Sequence, residues 1–216
     1  MTDAKRMLLP QSLVQALLSG ATQVSVPVKP QPWSDERDGE AWWHWRSNHG
    51  AVHARSGQEF DLSPYAPLPI GTEVWVPETW CPYADEMTKE YCQAHDPWWG
   101  EPIKPAVYAA DYGKECPPLD VGGCEHWRSP VTMPSWAARL RYEVEGVKAG
   151  RAWDATYQDA LLEGWHPVIG HIELPITNQG LVDTAHDWYK VHWNAACPAY
   201  PWSTNPWRLT YSLRRL

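Results

Sequence analysis

Two carboxylates lie near the ends of two predicted strands. The apolar run 70–80, IGTEVWVPETW, contains Glu78 near its polar end, and a second run, 106–112, AVYAADY, contains Asp111. Side chains at the ends of adjacent strands meet at one rim of a sheet, where loops carry binding and catalytic groups. A carboxylate there can accept hydrogen bonds from an amino group or act as a general base. A structural role for Glu78, accepting from backbone N–H groups of the next loop, stays open.

Aromatic and guanidinium side chains lie in or beside the same segments. They are Trp80, Tyr112, Arg128, Trp136 and Arg139. Trp, Tyr and Arg planes stack on unpaired bases. The pattern predicts a cleft in which Trp80 and Trp136 stack on a base while Arg128 and Arg139 hold phosphate. The alternative is that Trp136 packs against the sheet and Arg139 pairs with a carboxylate such as Glu78.

Cysteine and histidine spacing does not indicate a metal site. Cys116 and Cys124 are followed by His126, but the spacing lacks the short Cys pair of structural zinc sites. The five cysteines do not suggest a disulfide framework, so we expect reduced thiols. His44 and His53 lie on opposite arms of a predicted hairpin, where they could face each other across the strands, although we expect them to face solvent. No metal and no cofactor are predicted.

Composition limits the possible partners. The formal net charge is −8, and residues 31–125 hold 17 acidic and 6 basic side chains, a balance of −11. This balance argues against non-specific binding to phosphate backbones. Any basic face must come from the two ends of the chain, which supply Arg128, Arg139, Arg141, Arg208, Arg214 and Arg215. No apolar run is long enough for a membrane helix, so we expect a cytoplasmic protein without membrane contact.

Hydrophobic periodicity predicts an α+β fold with about six strands and three helices. Helices are predicted over 11–19, 155–163 (capped by Asp154) and 181–194. Strands are predicted over 24–28, 70–80, 106–112, 138–147 and 207–213, with a hairpin over 40–55, a possible short strand over 168–174 and a loop over 29–40. Short, evenly separated strands favour a small mixed β-barrel. We expect one domain, 1–216, with insertions at about 31–62, 81–105 and 113–135. The 16 tryptophans are too many to be all core, so some are expected to line a groove.

Several segments together resemble the ASCH-domain proteins of the PUA-like superfamily, in the long form found in phages and prophages. The matching pieces, in the family's order, are Val28-Lys29-Pro30, residues 71–80 (GTEVWVPETW), residues 108–112 (YAADY), residues 127–130 (WRSP), residues 133–139 (MPSWAAR) and residues 205–207 (NPW). The resemblance spans nearly the whole chain. It implies a PUA-like barrel that binds RNA or a modified nucleoside, and some relatives are amidohydrolases or proposed ribonucleases.

The chain also departs from the family's pattern. Members typically follow the first helix with Gly-x-Lys-Thr and a downstream Arg, which point basic groups into the cleft. Here the sequence after Gly20 is one residue shorter and keeps Thr22, but has Ala21 in place of the Lys and Ser25 in place of the Arg. A lysine that grips phosphate or takes part in catalysis therefore has no equivalent.

Three functional hypotheses follow. The first is a module that binds RNA or a nucleotide in an aromatic cleft, with Glu78 and Asp111 contacting polar base edges. The second is a hydrolase on a modified nucleoside or RNA, with Glu78 as base and Thr22 as a positioning or nucleophilic hydroxyl. The third is an acidic protein that acts on a host protein through residues 31–125. The oligomeric state is not predicted.

Overall fold

The computed structural model describes residues 4–38, 40–47, 50–55, 61–82, 106–113, 126–166 and 178–216. These residues form a mixed α+β structure with ten strands and four α-helices. The strands are β1 Lys5–Arg6, β2 Gln23–Pro27, β3 Trp33–Arg37, β4 Glu40–Ser47, β5 Gly50–Arg55, β6 Glu73–Val76, β7 Trp80–Pro82, β8 Ala106–Tyr108, β9 Leu140–Arg151 and β10 Trp207–Arg215. The helices are α1 Gln11–Leu18, α2 Ala109–Tyr112, α3 Tyr157–Leu162 and α4 Asn178–Ala196.

The chain divides into two compact units, each built from two separate stretches of sequence. Unit 1 comprises Met1–Leu9 and Val74–Arg141, and unit 2 comprises Pro10–Glu73 and Tyr142–Leu216. Each unit contains an arginine held by two carboxylates, Arg139 in unit 1 and Arg208 in unit 2. The two arginines therefore centre two separate polar clusters.

The first sheet of unit 2 centres on β10, which is antiparallel to both β9 and β2. In β9 the buried residues Tyr142 and Val144 alternate with more exposed glutamates, so the predicted long strand is confirmed. Pro27 is the last residue of β2, the outer strand of this sheet. An edge position tolerates proline, because no neighbouring strand needs the missing N–H.

A second sheet in unit 2 has the order β3–β4–β5. The predicted hairpin β4–β5 is confirmed, and Gly50 at its turn has φ 147°, where an added Cβ would overlap the ring of Tyr65. The predicted loop over 29–40 is wrong, because Trp33–Arg37 form β3. All five residues of β3 are exposed, so the sequence shows no apolar alternation there. His44 was expected to face solvent but is buried, whereas His53 is exposed.

The three predicted helices are confirmed in unit 2. Helix α1 buries Leu13, Val14 and Leu17, and α4 extends the predicted 181–194 helix at both ends. Helix α3 begins after Thr156 rather than Asp154. The Thr156 hydroxyl accepts from the Asp159 backbone N–H at 3.1 Å, and Asp159 Oδ2 accepts from the Thr156 N–H at 2.9 Å. This reciprocal capping box replaces the cap that was predicted at Asp154.

Unit 1 is built from two small strand pairs. Strand β1 runs parallel to β6, and β7 is antiparallel to β8. Its core contains the buried residues Trp75, Trp80, Ala106, Tyr108, Met133, Ala137 and Ala138. The predicted strand over 106–112 is only partly correct, because Ala109–Tyr112 form the single helical turn α2. The Ala109 N–H donates to the Thr79 carbonyl at 2.9 Å and continues the β7–β8 pairing by one residue, and the Gly113 N–H donates to the Ala109 carbonyl at 2.7 Å and closes the helical turn.

The observed architecture confirms an α+β fold, although the strands described in either unit do not close into a barrel. The possible strand over 168–174, most of the insertion over 81–105, and residues 114–125 of the insertion over 113–135 lie outside the described residues. Among the helices that the structure describes, none combines the length and apolar character needed to cross a bilayer.

Candidate functional site

Three segments of unit 1 bring Glu78, Asp111 and Arg139 together. Glu78 lies between β6 and β7, Asp111 lies on α2, and Arg139 directly precedes β9. Arg139 donates to Glu78 through Nε at 2.9 Å and through Nη2 at 2.9 Å. It also donates to Asp111 through Nη1 at 2.8 Å and through Nη2 at 3.0 Å. The two carboxylates expected at one rim are therefore joined by the same guanidinium.

The two ion pairs differ in exposure. The Glu78 side chain is 1% exposed, that of Arg139 is 29% exposed, and that of Asp111 is 46% exposed. Burial alone would lower the pKa of Arg139, but its hydrogen bonds to Glu78 and Asp111 outweigh that effect, so its pKa is raised. Arg139 therefore stays charged, and Asp111 is the carboxylate that solvent or a ligand can reach.

Neighbouring contacts fix the position of Arg139. Its guanidinium carbon lies 4.1 Å from the ring centroid of Tyr108, within the range of a cation–π contact. The Tyr108 hydroxyl in turn donates to the Ala137 carbonyl at 2.7 Å. The backbone N–H of Glu78 points at the sulfur of Met133, 3.3 Å away. Packing thus holds the aromatic ring and both partners of the buried ion pair in one arrangement.

A cavity of about 280 Å³ lies beside this cluster. Its polar and aromatic lining consists of Tyr108, Asp111, Tyr112, Trp136 and Arg139, and its remaining lining is Ala106, Val107, Ala137 and Ala138. Tyr112 is 51% exposed, and Trp136 is partly buried at the edge of the core. Glu78 does not line the cavity. The cavity is of a size for a small planar molecule, with aromatic rings and one exposed carboxylate in its wall.

The hydrogen bonds and charges within the cluster limit the kind of group that it can bind. A guanidinium has five N–H donors, and Arg139 uses four of them on Glu78 and Asp111. One N–H on Nη1 has no partner among the described residues. The cluster holds two carboxylates and one guanidinium, a formal charge of −1. The site therefore suits a neutral or cationic group better than a phosphate.

The structure places the other predicted site residues differently. Trp80, expected to stack on a ligand, is 4% exposed and lies in the core of unit 1, where its indole N–H donates to Thr132 Oγ1 at 3.3 Å. Arg128 lies over the Trp80 ring, 5.7 Å from its centroid, so its guanidinium packs on an aromatic face. Thr22 is exposed and belongs to unit 2. Its pairing with Glu78 stays a prediction.

A second arginine cluster, in unit 2, was missed. Arg208, expected on a basic face, is 1% exposed. Its Nη1 lies within 3.0 Å of the hydroxyls of Ser25, Tyr189 and Thr210, and its Nη2 donates to Asp159 at 3.1 Å. Glu163 accepts from Ser25 Oγ at 2.6 Å and from the Tyr189 hydroxyl at 2.9 Å. The sequence carried no signal for it, because Arg208 and Thr210 alternate with Leu209 and Tyr211, the pattern of a strand whose polar face meets solvent.

Two cysteines, Cys81 and Cys197, lie within the described ranges. Cys81, expected as a reduced thiol, is disulfide-bonded. Cys197 is a buried free thiol, and burial raises its pKa to about 11, so it is protonated at neutral pH. Within the described ranges, no group of three or more His, Cys, Asp or Glu residues is arranged to hold a metal. Cys116 and Cys124 lie outside those ranges.

Comparison of the chain with protein-family models, with curated proteins and with solved structures found no match.

Proposed function

We propose that unit 1 binds an unpaired nucleobase, carried by single-stranded RNA or by a nucleotide or nucleoside. The observation that carries the proposal is the cavity of about 280 Å³ with Trp136, Tyr112 and Asp111 in its wall. Aromatic side chains stack on the faces of bases, whereas carboxylates accept hydrogen bonds from base amino groups. The tryptophan and tyrosine rings supply the stacking surface in this proposal.

Asp111 and Arg139 supply the polar edge. Asp111 keeps acceptor capacity beyond its two bonds to Arg139, and one N–H on Nη1 of Arg139 has no partner within the described part of the chain. An exocyclic amino group beside a ring acceptor, as in cytosine and adenine, matches this pair. Uracil presents a carbonyl in place of the amino group and would set it against the carboxylate. We therefore propose selection for amino-bearing bases.

Phosphate contributes little to binding in this account. Arg139, assigned to phosphate from the sequence, is neutralised by Glu78 and Asp111. The chain as a whole carries a formal charge of −8. Because counterion release by basic residues causes the salt dependence of nucleic-acid binding, the affinity should change little with salt.

Calorimetric titration with adenosine, cytidine, uridine and short single-stranded RNAs tests the proposal. The expected result is binding of cytidine or adenosine and of RNAs that contain them, with weak salt dependence, and poor binding of uridine. Asp111→Asn should reduce the discrimination against uridine, whereas Asp38→Asn should not. Asp38 is a suitable control because its positive φ of 54° is one that asparagine adopts readily. Absence of binding to every nucleoside and RNA at low salt would refute the proposal.

We also propose that the chain is a divergent ASCH-like protein of the PUA-like superfamily, of phage or prophage origin, with a barrel elaborated by insertions. Support comes from the segments that carry the resemblance, which contribute Glu78, Asp111, Trp136 and Arg139 to one cluster and cavity. An experimental structure that includes residues 83–105 and 114–125 would test the barrel, and open sheets there would contradict it.

A hydrolase at the same cavity is a weaker alternative. Both oxygens of Glu78 accept hydrogen bonds from Arg139, and the side chain is 1% exposed. A general base must reach the proton that it removes, and this carboxylate is occupied. If the alternative holds, Glu78→Gln abolishes turnover of a modified nucleoside while the variant stays folded. The third hypothesis, action on a host protein, depends on residues 31–125, a large part of which lies outside the described ranges.

A further inference from the structure

A hydrogen-bonded chain of three titratable side chains crosses the sheet β3–β4–β5 of unit 2. Asp35 Oδ1 lies 2.7 Å from Nε2 of His44, and Nδ1 of His44 lies 2.7 Å from Nδ1 of His53. The two histidines are direct cross-strand partners, so their side chains project from the same face of the sheet. Backbone pairing therefore holds the two imidazoles against each other.

The two rings meet head-on. Their centroids are 5.1 Å apart with an interplanar angle of 64°, while the two Nδ1 atoms are 2.7 Å apart. These distances place both nitrogens close to the line that joins the centroids, so each lone-pair direction points at the other nitrogen. A metal ion bound by two cis ligands needs lone pairs that converge on a point beside both rings. The head-on arrangement suits one shared proton instead.

The three hydrogen-bonded side chains differ in exposure, with the buried His44 between the more exposed Asp35 and His53. The His44 side chain is 4% exposed, Asp35 is 41% exposed, and His53 is exposed at the other end. Trp33 stacks on His44 with ring centroids 5.6 Å apart and an interplanar angle of 27°. The hydrogen bond from His44 lowers the pKa of Asp35, which therefore stays ionised and accepts from His44 Nε2–H. His44 Nδ1 is then an acceptor, and His53 Nδ1–H is the donor to it.

We infer that Asp35, His44 and His53 form a proton relay from the surface to a buried imidazole. A proton from solvent bonds to Nε2 of His53. The bridging proton then leaves His53 Nδ1 and bonds to Nδ1 of His44. The positive charge moves from His53 to His44, next to the Asp35 carboxylate, and His53 is neutral again with its proton on Nε2. A second proton puts N–H groups on both facing nitrogens and separates the rings.

The surrounding charges favour this direction of transfer. The charged side chains on the same face of the three strands are Asp35 and Arg37 on β3, Glu40 and Arg46 on β4, and Arg55 on β5. Arg37 pairs with Asp35 at 3.0 Å, and Arg55 pairs with Glu40. Three guanidiniums and two carboxylates leave this face with a formal charge of +1. This net charge disfavours a further positive charge on the face, but Asp35 is the carboxylate that hydrogen-bonds to the histidine pair, so an added positive charge is better placed on His44 than on His53.

Imidazole nitrogen NMR on the full chain tests the relay. At about pH 8, where ordinary histidines are neutral, His44 should be protonated on Nε2 and His53 on Nδ1. The Nδ1–H form is the minor tautomer of a histidine in water, so its dominance at His53 reports the shared proton. If both rings are protonated on Nε2 at that pH, no proton lies between them and the inference is wrong.

Acid titration of the same signals provides the second test. The relay predicts that the nitrogen shifts of both rings change together in the first step, and that His53→Ala alters the titration curve of His44. Asp35→Leu should remove the transfer to His44, whereas Glu36→Gln should not, because it removes an equal charge from the opposite face of β3. Backbone amide spectra confirm that each variant is folded. Independent titration of the two rings, with His44 unaffected by His53→Ala, would overturn the relay.

Discussion

Arg139 donates to both oxygens of Glu78, through Nε to Oε2 and through Nη2 to Oε1, each at 2.9 Å. This bidentate pair of a buried carboxylate and a partly exposed guanidinium anchors the candidate site. It turns the remaining edge of Arg139 toward Asp111, the carboxylate that lines the cavity. Glu78 therefore positions Arg139 and Asp111, the groups that we propose to contact a base, without lining the cavity itself.

Replacing Glu78 with glutamine should destabilise unit 1. The carboxamide keeps the shape of the side chain but sets an NH2 group against a donor of Arg139, whose charge loses its buried partner. We expect a loss of roughly 2 kcal/mol in the free energy of unfolding, measured by urea denaturation. The matched control is Glu145→Gln, since Glu145 pairs with Arg214 while both side chains are about half exposed. The control Glu145→Gln should lower the free energy of unfolding by at most about 1 kcal/mol. Equal losses in the two variants would contradict the structural role of Glu78.

Replacing Arg208 should lower the free energy of unfolding more than replacing an exposed arginine does. Arg208→Met leaves Asp159 and Glu163 buried without their cation, and breaking a buried ion pair typically costs about 3–5 kcal/mol. Arg214→Met is the control, because Arg214 pairs with Glu143 and Glu145 at the surface, where we expect a loss of at most about 1 kcal/mol. Thermal and urea unfolding of both variants at neutral pH measure the difference. A fully stable Arg208→Met protein would show that the buried cluster is dispensable.

The contribution of Asp159 to stability should depend on pH. Burial alone would raise its pKa, but hydrogen bonds from Thr156 and Gln23 and the charge of Arg208 outweigh burial, so its folded-state pKa is lowered. Its contribution is therefore present above the unfolded-state pKa of about 4 and is lost as pH falls through the folded-state value. The stability difference between the unmodified chain and Asp159→Asn should be largest at neutral pH and shrink below about pH 4. A difference that does not change with pH would contradict this assignment.

Glu163 should show the opposite dependence. Burial raises its pKa, although Ser25, Tyr189 and Arg208 favour its charged form. Its contribution is complete below the unfolded-state pKa of about 4.3 and is lost as pH rises through the raised folded-state value. The stability of the unmodified chain relative to Glu163→Gln should therefore decrease as pH rises above about 4. Urea denaturation across a pH series measures both variants, and slopes of the same sign would refute one of the two pKa directions.

Periodicity predicted the elements that bury one face. Helix α1 and strands β9 and β10 were predicted correctly, because their apolar residues recur at helical or strand spacing. Strand β3 was missed, because a strand exposed along its whole length has no pattern that distinguishes it from a loop. The turn into α2 was missed because a helix of four residues is too short for its apolar spacing to differ from that of the strand before it.

The candidate site was predicted in its residues more than in its pairings. Glu78, Asp111 and Arg139 were each singled out, and the pairing of Arg139 with Glu78 was one of two alternatives. The sequence gives no distances, so it did not show that one guanidinium takes up both carboxylates. Trp80 and Trp136 have equal stacking potential as residue types, and only their packing separates a buried ring from one at the cavity wall.

The central claim is that the cavity of unit 1 stacks a base on Trp136. The most direct test compares Trp136→Ala with Trp153→Ala, whose ring is 52% exposed in unit 2, in titrations with the tightest-binding RNA or nucleoside. Trp136→Ala should weaken binding about tenfold or more, since loss of one stacking contact costs about 1–3 kcal/mol, while Trp153→Ala leaves the affinity unchanged. Equal affinities for Trp136→Ala and the unmodified chain would contradict the claim.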